Sequence, residues 1–224
     1  MNFTRLTESS RPNNLMSAIG LAVAFIAYYL ASILSWFGIA FDSGGPAMSI
    51  FWKVIAAVII IGFMRLFEKR PLASVNITLP SEKDITWAFY LWGLSMAWYW
   101  LISTILPPEQ SEGVNTIANL HPLVVIGIIL TAATVEELFY RGYLIERLHQ
   151  LTGRLWIGVI VSCVIFTVPH VQFFGPSWLI YHGVNAILLY VLYLWRRNLV
   201  AVMVLHLLGN LPILIPTFMA YFSR

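Results

Sequence analysis

The chain has 224 residues, 59% of them hydrophobic and only 10% charged, with a mean hydropathy of +0.80. A soluble globular domain of that composition would expose large apolar patches, so the sequence reads as a polytopic membrane protein. The net charge of +3 comes from Arg and Lys scattered through short loops, which argues against nucleic acid as a partner, and the single cysteine, Cys163, excludes an intrachain disulfide.

Taken in order, seven apolar runs approach the roughly 17 to 25 residues that a crossing helix needs. The first, 15–37, follows Arg5 and Arg11; it is longer than a signal-peptide core, lacks a small-residue cleavage site, and is expected to stay as an anchor. Asp42 and the Ser-Gly-Gly-Pro that follows separate it from 47–67, after which Arg65, Lys69, Arg70 and Lys83 flank a polar linker, 71–80. The third run, 85–106, is closed by Pro107 and Pro108, and the fourth, 120–145, is followed by Arg147, His149 and Arg154, which read as loop residues. The fifth, 155–169, is the shortest and ends at Pro169, where it either stops within the membrane or passes into a re-entrant stretch. Gly175 and Pro176 precede 177–195, and Arg196, Arg197 and Asn198 precede 199–218.

The expected fold is all-α: a transmembrane bundle of about seven spans in a single membrane domain, 1–224, with three N-terminal spans in 1–118. Lys and Arg fall in alternate loops while Asp42, Glu109 and Glu112 occupy the others, which places the N-terminus in the cytoplasm and the C-terminus outside. The expected location is a multi-pass position in the bilayer, the plasma (inner) membrane if the source is bacterial. Trp98 and Trp100 suit either an interfacial belt or packing.

Charges inside the fourth span stand out, because an ionised side chain at the bilayer centre costs about 2.5 to 3.5 kcal/mol and is functional by default. Glu137 and Arg141, four apart with the acid first, share a helical face as an ion pair. Glu136 points about 100° away, toward the face of Tyr140, and reads as the free acid. Phe166 and His170 are likewise four apart at the end of the fifth span, as are His206 and Asn210 in the seventh. Each has a structural reading too: an intramembrane His or Asn also serves as an interhelical hydrogen bond, Phe166 alone is packing, and His182 with Asn185 in the sixth span reads either as packing or as an added substrate contact. An unpaired Glu and two His on three spans together point to a buried site. Depth measured from the flanking charges puts Glu136 about 16 Å and His206 about 12 Å from the cytoplasmic side, but His170 about 24 Å. Convergence of His170 therefore requires tilt or a low-starting helix.

These residues stand as Glu136-Glu137-Leu138-Phe139-Tyr140-Arg141, Phe166-Thr167-Val168-Pro169-His170 and His206-Leu207-Leu208-Gly209-Asn210. In this order they resemble the CPBP family, the CAAX prenyl protease and bacteriocin-processing intramembrane proteases, also called the Abi family. The resemblance covers roughly 119–216, a four-span core. It implies that Glu136 is the general base, that His170 helps to activate the attacking water, and that His206 and Asn210 hold the oxyanion of a peptide carbonyl. Glu137, Arg141, Tyr140 and Phe166 are then supporting residues. The chemistry is sound: water needs a base to become a nucleophile, and burial in an apolar cavity would make the carboxylate a stronger one.

Two His and one Glu also form a zinc set, Glu136, His170 and His206. No His-Glu-x-x-His helix is present, however, and the resemblance implies glutamate-type hydrolysis with no obligatory metal. The expected function is thus an intramembrane endopeptidase acting on a peptide or membrane-protein substrate, lipidated or membrane-associated. The alternatives are a proton-coupled transporter, for which Glu and His are equally natural but paired inverted halves are missing, and a non-proteolytic membrane scaffold or immunity factor.

Overall fold

The computed structural model describes residues 14–39, 45–108 and 111–223; Arg5, Arg11, Asp42 and Glu109, used above to orient the chain, lie outside the described residues. The first apolar run forms α1 (Asn14–Tyr28) and α2 (Leu30–Trp36), which meet with a 67° bend, followed by α3 (Gly45–Leu66) and α4 (Glu82–Ile105). After a short α5 (Glu112–Ala118), one continuous helix runs over Pro122–Thr152: α6 (Pro122–Thr131), two π-helical stretches, Ala132–Glu136 and Leu138–Ile145, and α7 (Glu146–Thr152). Then come α8 (Leu155–Phe174), α9 (Trp178–Arg196), α10 (Leu199–Asn210) and, beyond a 3₁₀ turn, α11 (Leu214–Phe222). No strand occurs among the described residues.

Five of these helices are long and apolar enough to cross a membrane, or six if α1 and α2 form one broken span. The third expected span is present as the 24-residue α4 but is not among them. Its aromatic residues, including Trp87, Trp92, Trp98, Tyr99 and Trp100, lower its hydropathy while suiting a membrane interface. Trp98 donates through Nε1 to the Ile180 carbonyl at 2.8 Å, so it joins α4 to α9.

The Pro122–Thr152 helix lies at the centre, and every residue from Val135 to Arg147 is buried. It changes to π geometry where Thr131 and Thr134 turn their hydroxyls back onto the carbonyls of Gly127 and Leu130, at 2.8 and 2.7 Å. Such back-bonding competes with the α ladder and bends helices, and π segments are frequent at functional sites. Gly158 lets α8 cross this helix closely, since a Cβ there would lie 2.8 Å from the Ile145 carbonyl oxygen.

Three sequence expectations change. Pro169 does not end the fifth span: α8 continues through it to Phe174. His149 and Arg147 are helical, not loop residues, and Arg147 is fully buried against Glu68, with Nη2 to Oε2 at 2.6 Å. The linker 71–80 is docked, with Val75 buried and Asn76 in the left-handed region at φ 58°. The Asn76 carbonyl accepts from the Leu199 amide at 2.8 Å, its side chain donates to the Tyr193 hydroxyl at 2.8 Å, and Gly142 makes room beneath Val75.

Candidate functional site

The central helix, α3, α8, α9 and α10 surround a cavity of about 950 Å³, within the range of ligand pockets. Its wall is mostly apolar, but Lys53, Glu136, His170, His182, Asn185, His206 and Asn210 all face it. The structure thus brings the acid, both motif histidines and Asn210 to one chamber. Phe166 lines it as well, whereas Glu137, Tyr140 and Arg141 stand behind its wall.

The depth misfit of His170 is resolved by where the helices end. Arg147 is not a surface mark; the central helix runs on to Thr152, and α8 begins just after Arg154. From this common turn Glu136 and His170 are each about 24 Å down their own helices, at the standard rise. They accordingly meet, with His170 Nε2 3.9 Å from Glu136 Oε2. Its other nitrogen, Nδ1, lies 2.7 Å from the Phe166 carbonyl and donates to it, which fixes the ring and turns the Nε2 lone pair toward the acid. The imidazole also rests against Phe166 and Trp178, at centroid distances of 4.4 and 4.9 Å.

Glu137 and Arg141 form the expected ion pair, Oε1 to Nη1 at 2.8 Å, with both side chains wholly inaccessible. The same oxygen is 2.6 Å from His206 Nδ1, so Glu137 ties Arg141 and His206 together and holds the latter's Nε2 edge toward the cavity. The Arg141 guanidinium is sandwiched between Phe166 and Tyr190, 4.1 and 4.2 Å from their ring centroids. Phe166 thereby supports both the ion pair and His170. Tyr140 does not join Glu136; it packs edge-on against Phe166 at 5.2 Å and its hydroxyl lies 3.3 Å from that of Tyr29. The π-helical turn shifts residues away from the faces an α-helix would give them.

Glu136 is not the free acid that the sequence suggested. Lys53 reaches across from α3 and places its ammonium 2.7 Å from Oε1. Sequence reading passed over this residue, although a lone Lys well inside an apolar run was the available signal. Glu136 Oε2, buried, has no hydrogen-bond partner, and Asn185 Oδ1 is in the same condition. Asn185 packs so closely on α10 that a Cβ at Gly209 would fall 2.6 Å from its Nδ2.

Zinc can be tested against this geometry. Two imidazoles anchored through Nδ1 and a carboxylate are suitable donor types. Their placement does not fit: among the described residues no group of three or more His, Cys, Asp or Glu could hold a metal ion, and Lys53 occupies one oxygen of Glu136.

Fold and site together define a multi-pass helical membrane protein with an acid–histidine chamber at its centre. Residues 118–212 match the family model described as Type II CAAX prenyl endopeptidase Rce1-like, so the resemblance read from the three motifs is shown over that segment, and the family is one of proteases. No curated protein and no solved structure matches the chain.

Proposed function

We propose that this protein is an intramembrane endopeptidase that hydrolyses a peptide bond with a water held between Glu136 and His170. The observation that carries the reading is the 3.9 Å separation of Glu136 Oε2 from His170 Nε2, with Oε2 lacking any partner. That gap is too long for a direct hydrogen bond and suits one water bonded to both. Glu136 takes a proton from the water as its oxygen attacks the carbonyl carbon, while His170 orients it. The tetrahedral oxyanion is held by the Asn210 amide and by Nε2–H of His206 in its protonated form, whose charge Glu137 balances. Collapse breaks the C–N bond, and the proton carried by Glu136 passes to the leaving amine. No metal enters this scheme.

Seven spans, with α4 counted and the N-terminus in the cytoplasm, complete the proposed topology. The chamber's apolar wall favours a peptide with apolar side chains, or one carrying a lipid, arriving from the bilayer. Comparing the peptides in membranes that contain the wild type with those containing Glu136→Gln tests the reading. Substrate fragments should disappear in the variant, by about 10²- to 10⁴-fold for loss of a general base, while the protein accumulates normally. An unchanged peptide profile would sink it.

A further inference from the structure

Two buried side-chain acceptors on the chamber wall have no hydrogen-bond partner among the described residues, Glu136 Oε2 and Asn185 Oδ1. The water of the proposed hydrolysis accounts for the first and leaves the second unexplained. Asn185 belongs to none of the three motifs, and an apolar side chain of its size would fill the same space without an orphaned acceptor. Its place is nevertheless kept by α10: a Cβ at Gly209 would fall 2.6 Å from Nδ2 and 3.1 Å from Oδ1, so any larger residue there would push the carboxamide away. Gly209 is one position before Asn210 and three after His206, which sets the carboxamide beside the two groups assigned above to the oxyanion. His182, one turn earlier on α9, has a packing explanation instead, since its ring rests against those of Trp178 and Tyr99 at centroid distances of 6.3 and 5.6 Å.

A peptide attacked inside an apolar chamber has to open its backbone around the scissile bond, and each N–H released there needs a new acceptor, because no lipid group supplies one. Donors are plentiful in the chamber, from Lys53, His206 and Asn210. Acceptors are scarce. Glu136 holds Lys53 through Oε1 and the proposed water through Oε2, and the Nδ1 atoms of His170 and His206 are committed to the Phe166 carbonyl and to Glu137. Asn185 carries what is missing. Its Oδ1 is turned inward, while Nδ2, which makes no hydrogen bond among the described residues either, keeps some exposure. Rotation about χ2, a broad two-fold torsion, exchanges the two atoms without changing the shape of the group. We infer that Asn185 is a substrate-binding residue whose carboxamide oxygen accepts a backbone N–H of the peptide within a residue or two of the scissile bond. The inference rests on the protease reading and adds to it the group that holds the opened strand against α10 while its carbonyl is attacked.

The test uses full-length protein in detergent micelles, wild type beside Asn185→Leu, and a peptide identified by the Glu136→Gln comparison. A set of otherwise identical peptides replaces one backbone amide at a time by an ester at the residues flanking the scissile bond, the scissile amide itself being kept. Each replacement removes a single N–H, and mass spectrometry confirms cleavage at the original bond. Asn185→Leu should lose roughly tenfold in kcat/KM on the all-amide peptide, and at one position the ester should cost the wild type a similar factor while costing Asn185→Leu almost nothing. A merely structural role would instead lower cleavage of every peptide alike and leave the ester penalty intact. If Asn185→Leu is not monodisperse, Asn185→Ala, which removes the carboxamide without adding bulk against Gly209, takes its place. An ester penalty undiminished in the variant at every position, no ester penalty in the wild type, or a variant kcat/KM on the all-amide peptide within about twofold of wild type each overturns the inference while leaving the protease reading in place. Should the wild type cleave no peptide at all, the protease reading fails and takes the inference with it.

Discussion

Two sets of buried carboxylates in this molecule are built from the same residue types and differ in what is left open. Toward the turn between the central helix and α8, Glu68 takes Arg147 and the Tyr143 hydroxyl, Asp84 takes Arg196 and Ser81, and Glu146 takes Arg197 and the Tyr193 hydroxyl. None of these acids has a buried oxygen without a partner. At the chamber, Glu136 on its wall and Glu137 behind it each leave one oxygen, Oε2, buried and unmatched, although each has a cation on the other. Buried polar groups are normally satisfied, so orphaned acceptors beside a cavity mark a place kept for something else. The outer set ties helices and linker together; the inner one is the set that the proposed hydrolysis uses.

The largest effect that sharpens this contrast is on Arg141. Removing it strands Glu137 and empties the space between Phe166 and Tyr190, so Arg141→Ala should cost about 3 to 5 kcal/mol and sharply reduce accumulation of the protein. Thermal unfolding in detergent measures it. A melting temperature equal to that of the wild type would show that the inner pair does not support the fold.

Next comes Arg147, whose loss strands Glu68 nearer the end of the bundle. Arg147→Met should destabilise at the lower end of the same range, since water can more easily reach the abandoned carboxylate there. The double variant Glu68→Met with Arg147→Met should recover a large part of that loss, because two apolar residues of similar volume leave no uncompensated charge. Neither change should affect cleavage per folded molecule. A selective loss of activity would place the outer ion pairs in the chemistry and break the contrast.

Much of the architecture was legible because hydropathy reports lipid exposure directly: α3, α8 and α9 begin within two residues of their expected starts. The bend in the first span and the passage through Pro169 were not, since a run of apolar residues encodes neither a bend nor whether a proline ends the helix. At the site, Glu137 and Arg141 were legible because i and i+4 meet on one helix. Lys53 with Glu136 and Arg147 with Glu68 were not, being 83 and 79 positions apart. The misplacement of Tyr140 has a different cause: the apolar pattern does not distinguish an α from a π turn, and the motif lies in the latter.

The smallest effect expected concerns Asp84, just ahead of the apolar part of α4. Burial opposes its ionisation, but hydrogen bonds from Ser81 and the ion pair with Arg196 at 2.6 Å outweigh it and hold the carboxyl below the usual aspartate range. A carboxyl depressed in the folded state stabilises fully above its unfolded pKa, near 4, and loses that contribution as pH falls through the folded value. The wild type should therefore melt higher than Asp84→Asn at pH 6, and the gap should narrow as pH drops below about 4. The capping box formed by Ser81 and Asp84 adds a part that is also lost on substitution, so a small gap can persist in acid. A gap that widens toward low pH would reverse the sign of the linkage and show that Arg196 does not favour the ionised form.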